Sequence, residues 1–333
     1  MKEAKHIAIV GATGAVGEEM LACLDQRAFP ISELTLLASA RSAGKTISFQ
    51  GKDIIVKELT HNSFDGVDIA LFAAGGSTSL EFAPSAAKAG ATVIDNSSAY
   101  RMDDEVPLIV PEINPEAAQQ ASKGIIANPN CTTIISLMAL FPLHKKYGLK
   151  SIIASSYQAV SGSGAQGIAE LKQQCEAIAK GEEIVSEVYP TQIAFNVIPQ
   201  VDVFQPDHYT KEELKMLNES RKILNLPELK VTCTCVRVPV YRSHSVSITA
   251  AFENEPSVEE ARGIFANYPG VDAKDDPSNN LFPTPLDTTL KDDCLVGRIR
   301  KDKVIDKALA LWVVGDQVRK GAALNAVQIA EIL

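Results

Sequence analysis

The chain has no long apolar segment. Of its 333 residues, 46% are hydrophobic and 22% are charged. No apolar run approaches the roughly 18 residues that a membrane-spanning helix needs. The opening MKEAKHIAIVGATG also has no charged region, long apolar region and cleavage site of a signal peptide. We therefore predict a cytoplasmic protein that does not interact with membranes.

Excess positive charge is also absent. The formal net charge is −9, and it is spread along the chain rather than concentrated in one block. This balance argues against nucleic acid as a partner. A small anionic substrate still fits, because a few Arg and Lys side chains can invert the potential of one cleft.

Cysteines are few, and their spacing is not that of a disulfide scaffold. Six cysteines are scattered along the chain, and Cys233 and Cys235 are the only close pair. In the strand-like stretch VTCTCVRV both side chains share one face. Structural burial is favoured over a metal site, which would need a CxxC or nearby histidines. We predict no metal.

At 333 residues the chain is long enough for two domains. Its first third alternates short apolar runs with amphipathic segments, which predicts an α/β domain with a Rossmann-like, doubly wound parallel sheet. The predicted strands are residues 6–10, 34–38, 54–56, 69–73 and 92–95. Helical crossovers are predicted at 18–24 and 80–89.

The middle of the chain has an α+β pattern. A strand at 151–159 precedes helices at 165–180 and 211–224, and alternating residues at 231–239 and 243–252 indicate antiparallel strands. A helix near 258–266 and a surface loop at 272–287 follow. We predict a first domain of residues 1–130, completed by a C-terminal helix at 313–333, with residues 131–312 inserted.

Glycines punctuate the first strand–helix junction. HIAIVGATGAVGEEML places Gly11, Gly14 and Gly17 where a tight turn and helix N–H groups bind a pyrophosphate. This position predicts a dinucleotide site rather than a plain strand–helix turn.

The residues after the second predicted strand indicate which dinucleotide is bound. An acidic side chain there would bind a free ribose 2′-hydroxyl, but the sequence is ASARS. Arg41, with the hydroxyls of Ser39 and Ser42, suits a 2′-phosphate; the alternative is a solvated loop arginine. NADP(H) is therefore favoured over NAD(H).

A cysteine follows an Asn-Pro-Asn turn in ANPNCTT. Asn130 is a good N-cap, which places Cys131 in the first turn of a helix. The helix dipole lowers a thiol pKa there, and the N–H groups stabilise an oxyanion. A single cysteine at a helix start is nevertheless more often structural, so both roles stay open at this point.

Polar residues later in the chain are candidate companions of this thiol. Gln158 and the loop at Ser161 and Gly162 follow a predicted strand end. Arg237 lies in an apolar strand, where it needs an anion or water, so it is a candidate carboxylate clamp. His244 is equally consistent with a structural role and an acid–base role.

Several separated motifs resemble the aspartate-semialdehyde dehydrogenase family, particularly its compact bacterial members. They are VGATGAVG, NPNCTT, YQAVSGSGAQG, RVPVYRSHS and GDQVRKGAALNAVQIAEIL, and the match runs over nearly the whole chain. The resemblance implies a Rossmann-like domain with an inserted catalytic and dimerisation domain of the glyceraldehyde-3-phosphate dehydrogenase-like type. It also implies a homodimer or homotetramer, with the inserted domain's sheet as the usual interface.

The reaction implied is NADPH-dependent reductive dephosphorylation of β-aspartyl phosphate to aspartate β-semialdehyde. This step serves the biosynthesis of lysine through diaminopimelate, threonine, methionine and isoleucine. By the resemblance Cys131 is the nucleophile that forms a thioacyl intermediate, His244 is the general acid–base, and Gln158 orients the substrate.

The resemblance also assigns binding residues. Arg237 binds the α-carboxylate and Glu219 the amino group, while the substrate's phosphate and remaining groups meet Arg101, Lys222 and Asn130. For the cofactor it names these residues: Thr13, Gly14, Ala15, Val16, Arg41, Ser42, Ser161, Gly162 and Gln317. Without the resemblance, Glu219 and Lys222 would be interpreted as a solvated pair on one helix face.

Three alternatives stay open. An N-acetyl-glutamyl-phosphate reductase usually has Gly before its cysteine, where this chain has Asn130. A glyceraldehyde-3-phosphate dehydrogenase would show Ser there and an acidic ribose ligand. A non-catalytic NADP-binding sensor would keep the fold, but retention of Cys131, Gln158 and His244 opposes that role.

Overall fold

The computed structural model describes residues 3–333 and divides the chain into two compact units. The first unit is the chain up to Asn130 together with Ala322–Leu333, and the second is Cys131–Gly321. Residues 1 and 2 of the predicted first domain lie outside the described residues.

Strands and helices are numbered in chain order. The strands are β1 Lys5–Val10, β2 Ile31–Ala38, β3 Thr46–Phe49, β4 Lys52–Ile55, β5 Lys57–Glu58, β6 Ile69–Phe72, β7 Thr92–Asp95, β8 Ile125–Ala127, β9 Leu149–Gln158, β10 Lys230–Arg237, β11 His244–Phe252, β12 Val271–Ala273, β13 Cys294–Lys301 and β14 Ala308–Gly315. The α-helices are α1 Ala15–Gln26, α2 Gly76–Lys88, α3 Cys131–Tyr147, α4 Gly164–Lys180, α5 Lys211–Leu224, α6 Val258–Phe265, α7 Pro285–Thr288 and α8 Leu324–Glu331. Short 3₁₀ turns are Pro115–Gln120, Val160–Ser163 and Pro277–Asn279, and a π-helical turn, Arg319–Ala323, precedes α8.

A six-stranded sheet with every neighbouring pair parallel forms the centre of the first unit. Its order is β5-β2-β1-β6-β7-β8, so the chain moves outward from β1 in both directions. This confirms the predicted doubly wound, Rossmann-like sheet. The predicted strand at 54–56 belongs elsewhere: β3 and β4 form a separate antiparallel hairpin.

Helix α8 completes the first unit. Leu324, Val327 and Ile329 are buried in the same core as β1, β2 and α1. At the helix end, Arg27 donates two hydrogen bonds to the Glu331 carboxylate, at 2.5 and 2.6 Å. The last helix therefore packs on the first unit's sheet and α1.

The predicted start of that C-terminal segment at residue 313 is wrong. Residues 313–315 are the end of β14, which lies between β11 and β13 in the second unit's sheet, and residues 316–321 also belong to that unit. A central strand is buried on both faces, so ALALWVVG has the continuous apolar pattern of a parallel Rossmann strand. That pattern is the reason for the misplacement.

The second unit contains a mixed sheet in the order β10-β9-β11-β14-β13-β12. The strands predicted at 231–239 and 243–252 are β10 and β11. They run antiparallel to each other but are not neighbours, because β9 lies between them, parallel to β10 and antiparallel to β11. The chain joining those strands crosses the end of β9, where Val160 N donates to Val240 O at 2.9 Å and Ser161 N to Tyr241 O at 3.2 Å.

This topology brings several strand ends to one edge of the sheet. Gln158 and Arg237 are register partners at the ends of the parallel strands β9 and β10. His244 begins the neighbouring antiparallel strand β11 and pairs with Gly315 at the end of β14. Helix α3 packs against β9, β11, β13 and β14. We call this end of the sheet the catalytic edge, after the roles that the sequence resemblance implies for Gln158 and His244.

No helix among residues 3–333 is both long and apolar enough to cross a membrane.

Candidate active site

Cys131 is the first residue of α3 and is partly exposed. Its neighbour in space is Gly321: a Cβ added to Gly321 would lie 2.8 Å from the Cβ of Cys131. One turn later, Ile135 lies where a Cβ on Gly315 would be 2.9 Å from it. Two glycines therefore let the start of α3 approach the end of β14 and the turn after it. The Cys131 thiol lies in the first turn of α3, at the positive end of the helix dipole.

His244 is fully buried, and its contacts fix its tautomer. The backbone N–H of Ala159 donates to Nδ1 at 3.0 Å, so Nδ1 is an acceptor and the neutral ring carries its proton on Nε2. Burial, reinforced by the charge of Arg237 and opposed by Glu212, lowers the pKa of His244 to about 3. Nε2 has no hydrogen-bond partner within residues 3–333, so a polar N–H is left for another molecule.

Arg237 is buried and has no carboxylate partner among the residues that the structure describes. Its Nη1 donates to Ala159 O at 2.6 Å, and its guanidinium lies 5.9 Å from the ring centroid of Tyr189. These contacts orient the group but do not neutralise it. A buried guanidinium with remaining donors suits a carboxylate.

Gly162 is exposed and lies close to both of these side chains. A Cβ at this exposed glycine would lie 2.9 Å from Nη1 of Arg237 and 3.5 Å from Nε2 of His244. Both nitrogens therefore border the space that the missing side chain leaves. A small molecule reaching that space meets a cationic donor and a neutral N–H donor together.

The side-chain amide of Gln158 is held on both sides. Ser156 Oγ donates to Gln158 Oε1 at 2.9 Å, and Gln158 Nε2 donates to Glu212 Oε1 at 3.1 Å. Gln158 is almost completely buried. Two contacts of opposite polarity determine which way the amide faces.

Gln317 belongs to the same unit and bridges two loops. It donates through Nε2 to Ser161 Oγ and accepts from Ser243 N at 2.8 Å. Ser243, directly before His244, has a left-handed φ of 74°. A non-glycine residue in that region is uncommon and persists where its surroundings hold it.

The predicted substrate residues lie on different elements. Glu219 is buried on α5 and Lys222 is half-buried one turn later on the same helix. In the first unit, Asn130 is buried next to the start of α3, and Arg101 donates to the carbonyls of Asn128 at 2.9 Å and Asn96 at 2.8 Å. The substrate-binding role of these four residues stays a prediction.

A cavity of about 530 Å³ opens over the glycine loop of the first unit. Its lining includes these predicted cofactor residues: Gly11, Thr13, Gly14, Ser39, Arg41 and Ser42. Ala15, Val16 and Gly17 lie in the first turn of α1 and are not part of that lining. Ser161, Gly162 and Gln317 belong to the second unit.

The glycine loop fits a dinucleotide pyrophosphate. Gly11 has φ 85°, and a Cβ there would lie 2.9 Å from Ala73 O. Gly14 is the N-cap of α1 and offers no side-chain acceptor to the helix N–H groups. A Cβ on Gly17 would clash with the loop backbone, 2.8 Å from Cα of Ala12. Backbone and anion can therefore approach closely.

Arg41 is the one charged side chain in the cavity lining, taken over the part of the chain that the structure describes. It is exposed, and no hydrogen bond or ion pair within residues 3–333 occupies it. Ser42 N donates to Ser39 O at 2.8 Å, which folds this loop into a turn. The cavity thus offers a guanidinium and two hydroxyls at the position where a carboxylate would favour a ribose with a free 2′-hydroxyl.

Cys233 and Cys235 share the buried face of β10, with their sulfurs 3.7 Å apart. No group of three His, Cys, Asp or Glu side chains within residues 3–333 is arranged to hold a metal ion.

Sequence reasoning missed several groups that contact the site. Ser156, Glu212 and Tyr189 contact Gln158 or Arg237, and none lies in a motif used for the prediction. Alternation along SIIASSYQ places Ser156 on the face of Gln158, so that contact was detectable. Glu212 comes from a helix more than 50 residues away in sequence, with no local signal.

Two family models match this chain. One is described as "Semialdehyde dehydrogenase, NAD binding domain" and matches residues 6–121. The other is described as "Semialdehyde dehydrogenase, dimerisation domain" and matches residues 140–320.

The chain is also similar to curated proteins and solved structures. It is 55% identical to an aspartate-semialdehyde dehydrogenase of Aquifex aeolicus and 51% identical to one of Bacillus subtilis, covering 98% of this chain and 97% of each relative. A crystal structure of aspartate semialdehyde dehydrogenase II complexed with ASA, from Vibrio cholerae, matches with TM-score 0.97 and 46% identity over 100% of this chain and 98% of that one. A Candida albicans aspartate semialdehyde dehydrogenase with NADP matches with TM-score 0.76 and 27% identity, over 99% and 98%.

Proposed function

Because the chain belongs to the aspartate-semialdehyde dehydrogenase family, we propose that it converts β-aspartyl phosphate to aspartate β-semialdehyde in an NADPH-dependent reductive dephosphorylation. This step lies in the biosynthesis of lysine through diaminopimelate, threonine, methionine and isoleucine. The observation that carries the proposal is the catalytic edge, where His244 presents a buried, unpartnered Nε2–H beside the guanidinium of Arg237. The cytoplasm is the proposed location, since the cofactor and pathway belong there.

Cys131 is proposed to begin the reaction. Its thiolate attacks the acyl carbon of β-aspartyl phosphate, the C–S bond forms, and the bond to phosphate breaks. The position at the start of α3 supports this role, because the helix N-terminus favours a thiolate and N–H groups there stabilise an oxyanion. A thioester is left on the enzyme, and it accepts hydride more readily than a carboxylate does.

His244 is proposed to act in the second half of the reaction, in which the thioester is reduced and the aldehyde is released. When bound, the reduced nicotinamide supplies the hydride that reduces the thioester. In a general-acid role, the Nε2–H of His244 donates a hydrogen bond to the oxygen that develops negative charge on the hydride adduct at Cys131, and the neutral ring keeps its single proton. The oxyanion then re-forms the carbonyl while the C–S bond breaks, which releases the aldehyde and the thiolate.

The remaining assignments concern binding. Arg237 is proposed to hold the α-carboxylate, as its lack of a carboxylate partner among the described residues supports. Glu219 is assigned to the amino group, Arg101 and Lys222 to the phosphate, and Asn130 to the same substrate. Gln158 orients the reacting acyl group.

NADP(H) is proposed over NAD(H). The residues that would hold it are the glycine loop, with Thr13, Ala15 and Val16, and the turn containing Arg41 and Ser42, with Ser161, Gly162 and Gln317 assigned to the nicotinamide end. The support is the cavity lining, which offers Arg41 to a 2′-phosphate and no acidic ribose ligand among residues 3–333.

A homodimer built on the second unit's sheet is also proposed, with a homotetramer as the larger assembly. Ile153 and Tyr157 are 46% and 38% exposed on one face of β9, and the Tyr157 ring lies 5.2 Å from that of Trp312. An aromatic and aliphatic sheet face suits burial against a second copy. Sedimentation analysis of the wild type and of Ile153→Glu tests this, because the charge should shift the protein towards monomer.

One assay tests the activity. We expect NADP reduction with aspartate semialdehyde plus phosphate, and little or none with N-acetyl-glutamate semialdehyde or glyceraldehyde 3-phosphate. Preference for the N-acetylated compound would instead identify an N-acetyl-glutamyl-phosphate reductase. Cofactor binding without reduction of any of these would support a non-catalytic sensor.

A further inference from the structure

A chain of polar contacts runs from the surface to Gln158. Lys215 Nζ lies 3.0 Å from Asp202 Oδ2 and 2.9 Å from Glu212 Oε2, and Glu212 Oε1 accepts from Gln158 Nε2 at 3.1 Å. The side-chain exposure falls from 33% at Asp202 to 23% at Lys215 and 7% at Glu212. Glu212 is thus the last ionisable group before the catalytic amide.

The polarity of these contacts fixes the Gln158 amide. A carboxylate accepts hydrogen bonds only, so the group facing Glu212 must be the NH₂ end of the amide. The Ser156 hydroxyl then donates to Oε1 on the other side, at 2.9 Å. If the amide turned over, Oε1 would face the Glu212 carboxylate at hydrogen-bond distance, and the repulsion would be strong in this buried setting. One amide N–H and one lone pair of Oε1 remain for a substrate.

Lys215 allows a carboxylate to be kept in this position. Burial alone would lower the pKa of Lys215, but Glu212 and Asp202 outweigh burial and raise it. A protonated Lys215 balances the charge of Glu212, which is buried on α5. Removing Lys215 would leave the buried charge of Glu212 uncompensated, whereas removing Glu212 leaves Lys215 paired with Asp202.

From this geometry we propose that Glu212 is a positioning residue that holds the Gln158 amide in its reactive orientation. The proposal rests on the proposed function, in which Gln158 orients the acyl group attacked by Cys131. Glu212 acts through Gln158 and is not itself assigned to substrate, cofactor or reacting atoms. The neighbouring Glu213 makes different contacts, since it accepts from Thr210 N at 2.7 Å and Cys235 N at 3.0 Å and so caps α5.

Because Glu212 and Glu213 make different contacts, Glu213 provides a matched control for substitutions of Glu212. We expect Glu212→Ala to lower kcat by about 10- to 100-fold, because small misplacements of an orienting group cost rates of that order. The KM for aspartate semialdehyde should change by less than about threefold, since the binding groups are untouched. Glu212→Gln keeps an acceptor oxygen and should retain more of kcat than Glu212→Ala. Glu213→Gln should lower the thermal midpoint at most and leave kcat near the wild-type value.

A double-mutant cycle tests whether Glu212 acts through Gln158. If it does, Glu212→Ala should lower kcat by less than about threefold in a Gln158→Ala background, although it lowers kcat strongly alone. The phosphate-dependent rate of NADP reduction is the readout, and thermal melting of each variant reports folding.

Each outcome decides the proposal. Equal losses from Glu212→Ala in both backgrounds, an unchanged kcat in Glu212→Ala, or equal losses in Glu212→Ala and Glu213→Gln would overturn it. A KM effect without a kcat effect would do the same. Failure of the proposed function is a separate result, because the wild type would then be inactive with aspartate semialdehyde.

Discussion

The cavity over the glycine loop and the catalytic edge are built in different ways. The cavity takes its backbone loop and its turn from short stretches, near Gly11–Gly17 and Ser39–Ser42, and its charged group, Arg41, is exposed. At the catalytic edge, Gln158, Arg237 and His244 come from three strands and all are buried. Exposed loop geometry suits a large ligand held at many points. Buried side chains suit a few reacting atoms that need donors and acceptors of defined polarity.

The two regions also differ in how far their polar groups are removed from water. The glycine loop binds through backbone N–H groups that cost little to leave hydrated. His244 and Arg237 are desolvated, and each is held through a backbone atom of Ala159. Substitutions at the catalytic edge should therefore change chemistry and pH response, whereas substitutions at the loop should change cofactor affinity and local stability.

Loss of Cys131, the proposed nucleophile, should have the largest effect. Cys131→Ala should lower phosphate-dependent NADP reduction by about four orders of magnitude or more, because no other group can form the thioester. Isothermal titration with NADP should show nearly unchanged cofactor affinity. Cys175→Ala, the same replacement within α4, serves as the control and should keep its activity. An active Cys131→Ala enzyme would exclude the proposed mechanism.

The backbone around Gly17 leaves no room for a side chain at that position. In Gly17→Ala the new Cβ would overlap the backbone of Gly11 and Ala12, so we expect up to about 3 kcal/mol of lost stability and weaker NADP binding. Denaturant unfolding and titration measure both quantities. Gly14→Ala is the matched variant, since its Cβ would lie 3.4 Å from Gly11 O. Equal losses in the two variants would show that close approach is not the cause.

Acidification should destabilise the protein through His244. Its folded-state pKa of about 3 lies below the unfolded value of about 6.5, so between these values only the unfolded chain binds the proton. Stability therefore falls as pH decreases through this window, and His244 contributes about 2 kcal/mol of loss from pH 7 to pH 5.

Replacing the imidazole ring of His244 tests this predicted dependence of stability on pH. The free energy of unfolding of His244→Asn should depend less on pH than that of the wild type, by the same amount. His208→Asn, at an exposed loop position, should keep the wild-type slope. Identical slopes in all three proteins would mean that His244 is not buried in its neutral form.

The smallest effect should come from the exposed arginine. Arg41→Ala should weaken NADP(H) binding by about tenfold, or ~1.4 kcal/mol, while NAD(H) affinity changes by less than about twofold. Lys45→Ala, another exposed cation nearby but outside the cavity lining, should leave both affinities unchanged. Equal losses for both cofactors would reject the 2′-phosphate assignment.

Prediction from the sequence succeeded where the signal is local. Helix α5 has the predicted bounds, because the Thr210–Glu213 capping box begins it and Asn225 in the left-handed conformation ends it. The β1 to α1 junction was likewise readable from its glycines. Strand β13 was missed, since CLVGRIRK places arginines in an edge-proximal segment with a register shift between Gly297 and Arg300.

Strand pairing and side-chain contacts between distant segments could not be predicted from the sequence. Strand β10 pairs with β9, which lies far from it in the sequence, and no local pattern specifies that partner. The partners of Gln158 illustrate the same limit: Ser156 follows from strand alternation, but Glu212 requires α5 to be placed against the sheet. The site residues came from motifs, and their supporting contacts came only from the fold.

The second unit begins and ends at almost the same point. Cys131 and Gly321 are its first and last residues, and only the absent side chain of Gly321 lets them touch. In the first unit Asn128, near the point of exit, donates to the carbonyl of Ala322, the point of return, at 3.4 Å. An insertion with adjoining ends adds little closure entropy to its host. The chain path of the host therefore changes little at the insertion, and the proposed nucleophile, Cys131, belongs to the inserted unit whereas the Arg41 turn belongs to the host.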